Sequence, residues 1–222
     1  MPQIFSPAAN TWLKASIVGG ALVILTVFGT IFYLGSTSYV TRQHQVTPQP
    51  VPFSHRHHVN QLGIDCRYCH TSVETSAFAG LPPTKTCMTC HSQVWTDAPM
   101  LEPVRESYAT GVSLEWTRVH DLPDFVYFDH SIHLNKGIGC ESCHGAVNEM
   151  ALMWQENSLQ MMWCLDCHRG PEEFIRERAD IYKFESQLDY SAPADQMALG
   201  AQLTRGYRVN KDQLEDCSIC HR

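Results

Sequence analysis

No cysteine in this 222-residue chain stands outside one short pattern. All ten occur as Cys-x-x-Cys followed at once by histidine, so none is left over for a disulfide framework. Positive charge is in short supply. Lys and Arg number 16 against 23 Asp and Glu, and the net charge of −7 removes the electrostatic case for nucleic acid. Long apolar runs are also rare, with one, near the N-terminus. No clear Ala-x-Ala cleavage site follows it, although Ser36-Thr37-Ser38 is a weak candidate.

The repeated pattern occurs at Cys66-Arg67-Tyr68-Cys69-His70 and Cys87-Met88-Thr89-Cys90-His91. It recurs at Cys140-Glu141-Ser142-Cys143-His144, Cys164-Leu165-Asp166-Cys167-His168 and Cys217-Ser218-Ile219-Cys220-His221. Cys-x-x-Cys-His is the attachment motif of c-type haem. Two thiols on one tight turn add to the two vinyl groups of a haem. The adjacent histidine then meets one porphyrin face and gives iron its proximal nitrogen. Structural zinc is the rival, since paired Cys-x-x-Cys runs also build zinc ribbons. Zinc would pair the runs, strand one of the five, and need no histidine after each. The expected cofactors are therefore five covalently attached haems c. His70, His91, His144, His168 and His221 are their proximal ligands.

Haem c is attached outside the cytoplasm, so the haem-bearing part must be exported. Ser16 to Leu34 carries no charge. As a helix it would be about 28 Å long, close to a bilayer's hydrocarbon thickness. The expectation is an uncleaved single-pass anchor rather than a signal peptide. The chain then divides into 1–15 as a cytoplasmic or interfacial start, 16–36 as the transmembrane anchor and 37–52 as a Pro-rich spacer. A first dihaem module spans 53–92, a loop-rich connection 93–125 and a second dihaem module 126–170. Residues 171–222 carry the fifth haem. The fold class expected is one N-terminal transmembrane helix plus a multihaem cytochrome c domain of short helices and loops packed around haems. Two further helices are expected, one starting at Pro171 and running toward Arg178, one from Ala194 to Leu203.

The two modules share a lead-in. Phe53-Ser54-His55-Arg56-His57-His58-Val59-Asn60 runs through Gly63-Ile64 to the first attachment site. Phe128-Asp129-His130-Ser131-Ile132-His133-Leu134-Asn135 runs through Gly137-Ile138 to the third, with one residue fewer before the glycine. Five six-coordinate irons need five distal ligands, and seven histidines lie outside the motifs. His55, His58, His130 and His133 are the first four candidates, and His120 is the fifth. His57 is a register rival of His58, and His44 lies in the spacer. Met150 and Met161, near the fourth motif, are alternative ligands that would raise a haem's potential. Their ordinary role would be packing. Every motif ends in His, so no unusual proximal residue announces an iron left open for catalysis.

These segments together resemble the pentahaem cytochrome subunit of bacterial alternative complex III. FSHRHHVNQLGIDCRYCHTSVE, VHDLPDFVYFDHSIHLNKGIGCESCHGAV and MMWCLDCHRGPEEF carry the likeness, along with the N-terminal helix and the fifth site. The resemblance implies a bacterial inner-membrane quinol oxidoreductase with the haem domain on the periplasmic side. It implies partners: an iron-sulfur subunit related to molybdopterin oxidoreductases, polytopic membrane subunits and a monohaem cytochrome. The chain would relay electrons from the quinol-oxidising part to a cytochrome c or terminal oxidase and have no catalytic site of its own. The alternative is a self-sufficient membrane-anchored quinol dehydrogenase. The proline spacer and about 30 residues between helix and Cys66 speak against it.

Overall fold

The computed structural model describes residues 4–188 and 193–221. It divides into two units, Met1–Arg42 and Gln43–Arg222. The first unit is dominated by α1, Ala8–Gly35, with Pro7 immediately before it. The helix begins within the expected interfacial start, because Ala8, Ala9, Leu13 and Ala15 favour helix ahead of the uncharged run. Its 28 residues have a window of mean hydropathy 2.3, and none is buried against protein. Its length is about 42 Å, more than a bilayer's apolar core requires.

The second unit has no β-strand among the described residues, only isolated bridges. Its helices are α2 Thr84–His91, α3 Glu102–Thr110, α4 His130–Asn135, α5 Met161–Arg169 and α6 Pro193–Gly206. The remaining attachment motifs form single turns at Cys66–Cys69, Cys140–His144 and Cys217–Cys220. This is the short-helix-and-loop architecture expected.

Two small clusters replace a conventional core. Val51, Leu101 and Val104 are buried together, with Cys87 and Met88 packed against them. This fixes α3 on the second attachment helix. The expected loop-rich connection thus contains a helix. Pro103 sits in its first turn, and Gly111 closes it at φ 74°, a conformation that favours glycine. The other cluster joins Val73, Leu134 and Ile181, with Cys140 and Tyr182 against it. It ties the first module, the second and the C-terminal segment together.

The helix expected from Pro171 to Arg178 is only a 3-10 turn, Pro171–Glu173. Ile175 pairs with Ile138 in an antiparallel bridge, and Arg176 N–H donates to the Gly137 carbonyl at 2.7 Å. Burial of Ile175 at 1% exposure wins over local helix propensity. The helix expected at Ala194–Leu203 is present as α6 and extends to Gly206. It rests on the Pro171–Glu173 turn, where Gln196 Nε2 donates to the Glu172 and Ile175 carbonyls. A Cβ at Gly200 would collide with the Glu172 carbonyl, so glycine is required for this approach.

Candidate haem-binding site

The two Phe-x-His-x-x-His stretches fold into nearly the same clamp. Phe53 stacks on His58 at 4.4 Å and meets His55 edge-on at 4.9 Å. Phe128 stacks on His133 at 4.5 Å and meets His130 edge-on at 4.8 Å. Each clamp starts with a polar cap. Ser54 Oγ accepts from His57 N–H, and Asp129 Oδ1 accepts from Ser131 and Ile132 N–H. The extra residue in the first copy has a visible place. Arg56–Gln61 is a π-helical turn, whereas its counterpart α4 is α-helical. A π-turn absorbs one inserted residue without unwinding the helix.

Carbonyl oxygens fix the imidazole tautomers. His58 Nδ1 lies 2.8 Å from the Ser54 carbonyl and His133 Nδ1 2.7 Å from that of Asp129. His130 Nδ1 lies 2.8 Å from the Ala77 carbonyl. Among motif histidines, His70 is held by Gly80, His91 by Val94, His168 by Leu214 and His221 by Phe125. A carbonyl can only accept, so each Nδ1 carries the proton. In the neutral ring Nε2 is then the nitrogen with the lone pair, the arrangement typical of metal-ligating histidine.

Ring separations test whether haem fits. With a metal–imidazole bond of about 2 Å and a ring nitrogen about 1.2 Å from its centroid, two ligands across one iron have centroids about 6.3 Å apart. His58 and His91 are 6.3 Å apart. So are His130 and His144, and so are His133 and His168. In each pair a lead-in histidine faces a motif histidine. His57 is turned elsewhere, with its Nδ1 on Gln61 and its ring stacked on Trp95.

Buried nitrogens add to the fit. His55 Nδ1 and His120 Nε2 are buried with no hydrogen-bond partner among the described residues. Such an atom is costly unless something the chain does not supply meets it. Burial lowers the pKa of His55 and His120 to about 4 and that of His144 to about 3. All three are neutral at physiological pH, the form that binds metal. The charge of His70 adds to the effect on His55. No disulfide joins any of the ten cysteines. No cluster of three or more His, Cys, Asp or Glu converges on one point among the described residues, so the donors do not suit tetrahedral zinc. The residues fit haem.

The remaining candidates are placed differently. His120 lies against His144 at 4.3 Å, too close for an iron between the rings, and has no ring contact with His221 among the described residues. His221 instead stacks on Phe125 at 5.8 Å. Met150 is buried at 1% exposure and accepts the Arg56 N–H at its carbonyl. Met161 is 62% exposed at the start of α5. Sequence spacing missed the carbonyl from Ala77, which holds His130 from 53 residues away. No local signal could have found it.

Residues 126–222 match the family described as cytochrome c7 and related cytochrome c. That span contains the second clamp and the last three motifs. The chain is also 34% identical over 127 residues to the menaquinone reductase multiheme cytochrome c subunit of Nitratidesulfovibrio vulgaris. The match covers 57% of this chain and 60% of that protein, so the chain spans about three-fifths of its relative. Residues 126–222 are therefore similar to cytochrome c7 and related c-type cytochromes. The chain is homologous to a multihaem subunit of a reductase.

Proposed function

We propose that this chain is the pentahaem electron-relay subunit of a quinol-oxidising membrane complex of the alternative complex III type. The helix α1 anchors it in the bacterial inner membrane, with the haem domain on the periplasmic side. The observation that carries this reading is the 6.3 Å spacing shared by three histidine pairs. An iron held by both histidines of such a pair would leave no open position for substrate and would exchange an electron with little rearrangement. Haem, when bound, supplies a one-electron couple at each site.

The chain's own residues do the rest. Five thiol pairs, Cys66 with Cys69 through Cys217 with Cys220, hold the groups covalently. In this reading His58 faces His91 at the second site, His130 faces His144 at the third, and His133 faces His168 at the fourth. His55 serves His70 at the first. Backbone carbonyls orient His58, His70, His91, His130, His133 and His168 through Nδ1, and burial lowers the pKa of His55, His58, His133 and His144. The assembly would include an iron-sulfur subunit, polytopic membrane subunits and a monohaem cytochrome, with electrons passing on to a cytochrome c or oxidase.

The name of the relative, a menaquinone reductase subunit, favours a second reading in which electrons run toward the quinone. One anaerobic experiment separates these. A menaquinol analogue is added to the detergent-extracted assembly and to the isolated, haem-loaded chain while the reduced-haem band is followed. Reduction in the assembly and none in the isolated chain is the expected result. Haems that stay oxidised with menaquinol, yet are oxidised by menaquinone once pre-reduced, would favour the second reading. Fast, inhibitor-sensitive reduction of the isolated chain would place a quinol site on this polypeptide and make it a self-sufficient dehydrogenase.

A further inference from the structure

The contacts between attachment turns have an order that differs from their order in sequence. The first and second turns touch through Tyr68 and Thr89, whose hydroxyls are 2.9 Å apart. The first and third meet through the buried cluster of Val73 and Leu134, against which Cys140 packs. The same junction carries the Ala77 carbonyl, which accepts from both the backbone N–H and Nδ1 of His130. The third and fourth share one helical turn: His130 and His133 lie on α4 and face His144 and His168 respectively. The fourth and fifth are joined just before the last motif. His168 Nδ1 donates to the Leu214 carbonyl at 2.7 Å, and Arg169 pairs with Glu215 at 2.9 Å.

Exposure follows the same order. Cys90 in the second turn and Cys217 in the fifth are the exposed cysteines, and the other eight are partly covered. No residue of the third turn, Cys140–His144, is exposed.

We propose that the chain sets its five attachment turns in one unbranched row, ordered second, first, third, fourth, fifth, with the two exposed turns as its ends. An electron given at one end by the quinol-oxidising subunits is taken at the other by the acceptor cytochrome or oxidase. Each site between is reduced and reoxidised once. The order rests on the pentahaem reading above.

Neighbouring charges settle the order. A thioether ligand raises a haem's potential, so a His→Met change at a distal position makes that site fill first. The added negative charge then lowers the potentials of the sites beside it, an effect that falls with distance. The full-length, haem-loaded chain is titrated anaerobically by visible absorbance and near-infrared magnetic circular dichroism. In His130→Met, on an inner site, two of the other four haems should shift to lower potential. In His58→Met, on an end site, one should. Should His130→Met fail to load, His55→Met is also inner and carries the expectation of two. Any other count in a chain holding five haems by the pyridine haemochrome assay overturns the order. An unaltered chain that never holds five haems overturns instead the reading on which the order rests.

Discussion

Phe53 and Phe128 each touch two histidines, and that double contact explains why the lead-in begins with phenylalanine. One face of the ring sets the plane of His58 or His133, and one edge braces His55 or His130. An aromatic contact of this kind is worth about 0.5–1.5 kcal/mol beyond buried area. Phe128→Leu should therefore lower the melting temperature of the loaded chain by a few degrees, at about 2–4 °C per kcal/mol for this size. It should also change the low-spin electron paramagnetic resonance signal of the haem that His133 serves, because the freed imidazole plane rotates. An unchanged signal with a lowered melting point would reduce Phe128 to packing. The five Cys-x-x-Cys-His runs were legible as runs from spacing alone, and each forms a short helical turn or lies on a short helix, as haem attachment would demand. The register between His57 and His58 was legible from the repeat. The placement of His120 was not. Its ring meets His144, 24 residues along the chain, and nothing near Trp116 or Pro123 encodes that neighbour.

Short helices here are shaped by their junctions more than by their own propensities. The Pro171 segment has the composition of a helix start, yet Ile175 and Arg176 leave it to pair with Gly137 and Ile138. The reverse occurs in α3, where Pro103 and Gly111 were punctuation that the expectation of a loop passed over. Between the two clamps the one-residue difference was legible, but its form as a π-turn was not, because a loop could have taken up the residue equally well. The junction of α6 offers a sharp test. Gly200→Ala would drive a methyl group into the Glu172 carbonyl, so α6 must lift from the Pro171 turn. Overpacking of this kind costs about 1–3 kcal/mol. Thermal melting should show the loss, and the Lys211–Glu172 ion pair at 2.7 Å should loosen with it. A variant as stable as the parent would mean that the helix is not held there.

Nine buried apolar side chains are few for a unit of this length, counted among the described residues. Haem must supply most of the remaining interior. Residues 43–222, produced with an export signal and the attachment machinery, should be a water-soluble protein holding five haems. The same residues made in the cytoplasm without attachment should be largely unfolded by circular dichroism and protease sensitivity. A compact, cooperatively melting apo form would contradict this account. The long apolar helix and the sparse core were both legible, from one uncharged run and from motif density. The links between modules were not, since they depend on backbone carbonyls that any residue type could provide. The carbonyl of Leu214 has a particular bearing on biogenesis. It steadies His168 from 46 residues downstream. If the segment after α1 is exported in chain order, the fourth motif is exposed well before this brace arrives. Haem joined there during export would sit on an untethered imidazole until Leu214 emerges. A chain cut short before that point would carry a loosely held fourth group, marking it for the proteases that survey newly exported proteins.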